Sequence, residues 1–145
     1  MSKKIAASLK VALANEFVTA FKFSAAHWNV EGINFSELHT LFGTIYADLS
    51  ADIDVVAEHI RVLDEYAPNS IKELLSSTTV TDGIKGDPVS MVKDLMNAVV
   101  QTKDAFNAAF KIAEAESDQG IMDYLVGRID IFAKHIWFLR ATAKG

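Results

Sequence analysis

An all-α fold, a four-helix bundle with a short extra helix in its one long connection, is the architecture this 145-residue chain predicts. Three observations carry the prediction. Apolar residues recur in steps of three and four through four long segments, the period of an amphipathic helix. Helix-starting residues stand at the segment edges, at Asn34, at Asp87-Pro88 and at Ser117-Asp118. Loop-forming Ser, Thr, Asp and Gly concentrate in one stretch, from Ser76 to Gly86.

The elements follow in order. A first helix is predicted from about Lys4 to Val30, with Ile5, Leu9, Leu13, Phe17, Phe21 and Trp28 along its apolar stripe and Gly32 breaking it. A second starts at Asn34, an N-cap with Glu37 three residues on as in a capping box. Its apolar line is Phe35, Leu38, Phe42, Ile45, Leu49, Val56, Ile60 and Leu63, and it contains one step of seven. This helix is expected to end near Tyr66, before Pro68. Ile71 to Leu75 forms a short connecting helix. Asp87 followed by proline at the first helical position opens the third long helix, which runs to about Glu116. Ser117 or Asp118 caps a fourth, which runs to about Ala143. The connection between the second and third long helices is the only long one, so the four pack as an antiparallel-type bundle. No repeat or low-complexity tract divides the chain, and residues 1–145 read as one domain.

Composition narrows the function. Half of the residues are hydrophobic and charge is spread along the chain, the profile of a soluble helical protein. No apolar run approaches the ~20 residues of a membrane span. Lys3-Lys4 and the apolar-leaning run after them imitate a signal peptide, but Lys10, Asn15, Glu16 and Lys22 interrupt it. A cytoplasmic location is therefore expected. Cysteine is absent, so any metal must be held by nitrogen and oxygen. A net charge of −5 argues against a dedicated nucleic-acid surface, leaving Lys3, Lys4 and Lys10 as a small basic N-terminus.

The chemistry-bearing residues are His27, in His27-Trp28-Asn29-Val30-Glu31-Gly32, then His39, Asp54 and Glu58. Two imidazoles and two carboxylates suit Fe(II), tolerate Fe(III) and leave positions open for an oxidant; zinc binds the same atoms. His39 and Asp54 lie 15 residues apart on one predicted helix, roughly 22 Å along its axis. Asp54 and Glu58 share one helical face. If all four bind one centre, the histidine pair and the carboxylate pair come from different subunits. A homo-oligomer with two equivalent metal sites per two-fold dimer follows. The chain has no Glu-x-x-His, so the site is not expected inside its own bundle.

His27-Trp28-Asn29-Val30-x-Gly32, Phe35, Leu38-His39 and Asp54-x-x-Ala57-Glu58 together resemble the signature of the DNA-protection-during-starvation (Dps) family. Lys134-His135-Ile136-Trp137 resembles that family's final helix. The resemblance implies a ferritin-like bundle, a hollow dodecamer of 23 symmetry, and ferroxidase activity. Fe(II) would be oxidised by hydrogen peroxide, or by dioxygen, and stored inside as ferric mineral, giving protection from oxidative damage. By position, His27 and His39 would be ligands from one subunit, Asp54 and Glu58 from its two-fold partner, and Glu58 would bridge two irons. Asp118 and Asp123 become candidates for acidic three-fold pores, where a ring of carboxylates concentrates cations; plain N-capping is the alternative for Asp118. Trp28 is either a buried interface aromatic or a sink for oxidising equivalents near the iron. His59, His135 and Trp137 read as structural or surface residues, Trp137 as core packing.

Two positions depart from the pattern. Gly43 stands where the family usually has a carboxylate, four residues after the second histidine, and its loss should weaken the second iron position. Glycine there also costs about 1 kcal/mol against alanine in a helix interior, so helix stability does not explain it. His59 stands where arginine is common. Two rival functions follow: a DNA-condensing protein relying on Lys3, Lys4 and Lys10, and a structural cage whose ferroxidase site is impaired. Twelve copies at −5 each would repel DNA, so any DNA binding is expected to be weak.

Overall fold

The computed structural model describes residues 2–144. They form α1 (Lys3–Asn29), α2 (Phe35–Val62), the short α3 (Ile71–Leu75), α4 (Pro88–Ala115) and α5 (Gln119–Ala143), with no strand among the described residues. Side-chain caps set three of the long helix starts. Ser2 accepts from the Ile5 amide, Asp87 from Ser90 at 2.9 Å, and Asp118 from Ile121 at 3.1 Å. Each satisfies an amide that the helix itself leaves without a partner.

Two expectations at the ends of α2 are corrected. Asn34 occupies the N-cap position, but its side chain makes no capping bond, so the capping box does not form. The chain enters α2 through a turn in which the Phe35 amide donates to Gly32, whose φ of +121° only glycine adopts freely. At the other end α2 stops at Val62 instead of near Tyr66, because Asp64 takes the left-handed conformation at φ 62° and the Glu65 amide turns back to the Ile60 carbonyl.

The core also runs differently along α1 than its apolar pattern suggests. Ile5, Leu9, Leu13, Ala20, Phe23 and Ala26 are buried, whereas Phe21 and Trp28 are 54% and 62% exposed. The buried line passes through Leu13, Glu16, Ala20 and Phe23, and the aromatics one position further round face outward. On α2 the step of seven between Leu49 and Val56 is filled by Asp52, itself buried. Phe23, Phe42, Phe106 and Phe132 are fully enclosed, each contributing about 1.5–3 kcal/mol by leaving water. Trp137 is not core packing: it is half exposed, edge-on to Phe138 at 4.9 Å between ring centroids.

Close backbone approach joins α1 to α2, α1 to α4 and α4 to α5, while α2 and α5 meet mainly through side chains. The crossover is pinned by two polar residues of α1. Buried Asn15 accepts from the Thr79 amide at 2.8 Å and donates to the Gln101 carbonyl. Buried Lys22 donates to the Thr81 carbonyl at 2.8 Å and pairs with Asp94 at 3.1 Å. Among the described residues no helix is long and apolar enough to cross a membrane.

Candidate metal centre

His27 lies in the last turn of α1 and His39 in the second turn of α2, facing each other across the Gly32 turn. Their rings stack at 3.7 Å between centroids and 13° between planes. Nδ1 of His27 bonds the His39 carbonyl at 2.5 Å, and Nδ1 of His39 bonds the His27 carbonyl at 2.6 Å. A carbonyl only accepts, so each Nδ1 carries a proton and donates it. In the neutral ring this leaves both Nε2 atoms with their lone pairs, the tautomer in which Nε2 can bind a metal. The His27 carbonyl belongs to the final turn of α1, where no helical amide follows to serve it. His39 thus closes the end of α1 while fixing its own tautomer. Phe35 stacks on the other side of His39 at 5.0 Å.

Asp54 and Glu58 sit one turn apart on α2 with both side chains exposed. They are not brought to the histidine pair: among the described residues no three His, Cys, Asp or Glu side chains converge as a metal site. One chain therefore keeps the histidine pair and the carboxylate pair apart. Large apolar side chains near the histidines in sequence are exposed, Trp28 at 62% and Ile33 fully.

The interior holds a second polar constellation that sequence reasoning missed. Arg128, buried on α5, makes a two-pronged contact with Asp48, Nη1 to Oδ1 and Nη2 to Oδ2, both at 3.0 Å. Nη2 also donates to Glu16 at 3.3 Å. Its Nε faces Asp52 Oδ2 at 3.0 Å as an ion pair whose angle falls short of a hydrogen bond. Tyr124 donates to Asp52 at 2.7 Å, and His135 Nε2 donates to Asp48 at 2.7 Å. Burial pushes the Glu16 carboxyl well up, reinforced by the negative charge of Asp52 beside it. Burial pushes Asp48 the same way, but the hydrogen bonds from His135 and Arg128 prevail and hold it below the usual carboxylate range. Burial and then Asp52 push the Tyr124 phenol up.

A guanidinium thus sits among three carboxylates inside the bundle. Asp48 and Asp52 are committed to Arg128, so neither is free to replace a carboxylate at position 43. His135 is structural, as expected, and so is His59, whose ring lies 4.4 Å from that of Tyr124. The missed signal was a charged residue on each buried line: Glu16 three after Leu13, and Asp52 inside the step of seven. Of the pore candidates, Asp118 caps α5 through its side chain, and Asp123 is exposed on the first turns of that helix.

Residues 6–144 match the ferritin-like domain family. The DNA protection during starvation protein 2 of Bacillus anthracis is 28% identical over 142 residues, covering 97% of each chain. The DNA protection during starvation protein of Listeria innocua is 26% identical, covering 89% of this chain and 85% of its own. Among solved structures, the Dps protein of Vibrio cholerae O1, described as a member of a broad superfamily of ferritin-like diiron-carboxylate proteins, superposes with a TM-score of 0.91. It is 28% identical, with 96% of this chain and 88% of that one covered. Dps from Staphylococcus aureus gives a TM-score of 0.92 at 26% identity, over 98% and 96% of the two chains. With its helix order, its histidine pair and these likenesses in agreement, this chain belongs to the ferritin-like family, and within it to the Dps proteins.

Proposed function

We propose that the chain is a Dps-type ferroxidase and iron store. Family membership supports iron storage and protection as the general role. The observation that carries the finer reading is the pair of reciprocal bonds from Nδ1 to carbonyl, which leave Nε2 of each stacked ring its lone pair. Fe(II) is the substrate. It binds between two-fold related subunits, held by His27 and His39 of one subunit and by Asp54 and Glu58 of the other. The exposed aromatic and aliphatic side chains around the histidines, Trp28, Ile33 and Phe35, support an interface there, since large exposed apolar patches mark association surfaces. That reading makes Trp28 an interface aromatic.

Two Fe(II) ions each give up one electron to hydrogen peroxide. The O–O bond breaks and, with two protons, the oxygens leave as two waters, so no hydroxyl radical is released. Dioxygen is the alternative oxidant. The ferric product accumulates inside a hollow dodecamer, and Asp123, exposed on α5, would draw cations toward a pore.

Fe(II) oxidation followed by absorbance, with and without stoichiometric peroxide, on protein of measured oligomeric mass tests this. Fast peroxide-dependent oxidation by a particle of twelve subunits is expected, with His27→Ala and Glu58→Ala each at the protein-free rate. The two variants co-assembled in equal amounts should regain activity at about one quarter of the sites. Half of random two-fold dimers are mixed, and each mixed dimer holds one intact site of two. No recovery on co-assembly would sink the shared site. Background-rate oxidation by intact wild-type protein would favour the second reading, a storage shell with an impaired centre, to which Gly43 points. With a charge of −5 per chain, DNA binding should be weak and confined to low salt.

A further inference from the structure

Gly43 stands one helical turn beyond His39 on α2, and its bare α-carbon faces the ring of His27. A Cβ built at this position would lie 2.9 Å from both Nδ1 and Cε1 of His27, closer than carbon and ring atoms approach without one of them moving. Nδ1 is the atom that donates to the His39 carbonyl. In the α-helical ladder that carbonyl is also the partner of the Gly43 amide. The imidazole therefore reaches a backbone oxygen that is already in use, and it does so through the space a side chain at position 43 would fill.

We infer that Gly43 is a positioning residue for His27: its missing side chain lets the imidazole lie against α2 with Nδ1 on the His39 carbonyl and Nε2 turned to the metal. The inference rests on the metal-binding reading above. It reverses the expectation drawn from the family pattern. On that pattern Gly43 is a lost ligand, and restoring a carboxylate should strengthen the centre. On this geometry a carboxylate at position 43 and the observed imidazole pair exclude each other. Gly43→Asp must shift the His27 ring, which disturbs the bond that sets its tautomer and the stack with His39. The chain holds a preset pair of imidazoles packed against a bare α-carbon, where the family pattern adds a carboxylate to the two histidines.

The test uses the assembled protein and cobalt(II), titrated by its visible absorption, with histidine ring-15N magic-angle-spinning spectra of the metal-free protein. A His27→Gln sample assigns the His27 signals. Wild type should show His27 protonated at Nδ1. Gly43→Ala should lose that signature and bind cobalt at least tenfold more weakly, the usual scale for losing the bond that orients a ligating histidine. Alanine favours the helix, so circular dichroism should show no loss of folded protein. Gly43→Asp should bind no more tightly than Gly43→Ala. Cobalt binding by Gly43→Asp tighter than wild type would overturn the proposal, as would a Gly43→Ala variant that keeps both the Nδ1 signature and the wild-type affinity. If wild type and His27→Ala take up cobalt alike, the metal-binding reading itself fails, and the proposal with it. Wild-type binding that depends on His27 but is indifferent to position 43 removes only the role of Gly43.

Discussion

Replacing Arg128 with methionine removes the guanidinium that faces Glu16, Asp48 and Asp52 together, while keeping an unbranched stem to pack where Arg128 now lies over the Phe132 ring. Lost are two hydrogen bonds to Asp48 at 3.0 Å, one to Glu16 at 3.3 Å and the ion pair with Asp52 at 3.0 Å. Removing one partner of a buried ion pair costs about 3–5 kcal/mol, because the other charge stays behind without compensation. Two features move the expectation to the low end of that range. Glu16 is pushed toward its neutral form, so it leaves little charge behind. Asp48 keeps His135 and a side chain 30% exposed, so water can reach it. A loss of about 3 kcal/mol is expected near neutral pH.

The sign of the pH dependence is fixed by Asp48. Its carboxyl is held below the usual range in the folded protein, so it stabilises the fold above its unfolded value, and that contribution fades as pH falls toward the folded value. Without Arg128 the depression shrinks. The gap between variant and wild type should therefore be widest near neutral pH and narrow below about pH 4. Guanidinium unfolding followed by helical circular dichroism, at fixed subunit concentration because assembly shifts apparent stability, measures it. A variant within about 1 kcal/mol of wild type near neutral pH, or a gap that widens on acidification, would refute the reasoning.

Other consequences follow from single residues. Glu16 is raised well above its ordinary value, so the stability it adds is complete at acid pH and is lost as pH rises through the folded value. Glu16→Gln, fixed in the neutral form, should melt no lower than wild type at about pH 8 and differ less at about pH 5; a clear fall in Tm at the higher pH would contradict this. Asn15→Leu strands the Thr79 amide and should cost roughly 1–3 kcal/mol while speeding hydrogen exchange across residues 76–86, and unchanged exchange there would show that Asn15 does not pin the crossover. Asp118→Ala should cost about 1 kcal/mol through the lost cap and leave the rate of iron oxidation unchanged; a slowed rate at preserved stability would return Asp118 to the pore.

Much was legible because it is local. Helix existence, the Asp87 and Asp118 caps and the Gly32 break depend on neighbours three or four residues away, and the structure agrees with each. The spacing of His39 from Asp54 and Glu58 keeps the two apart along α2 by helix length alone. What failed depended on rotation and on partners distant in sequence. Phe21 and Trp28 match the apolar period of α1, yet only the packing of α1 against α2 and α4 decided that the line through Glu16 turns inward. Glu16, Asp48 and Asp52 share a partner, Arg128, that lies on the last helix and far from all three in sequence. Gly43 is the sharpest case. By pattern it is the absence of a ligand. Only the approach of α1 to α2 shows that the space is taken by the His27 ring, because whether a missing Cβ leaves a gap or makes room depends on which atom lies within 3 Å of it.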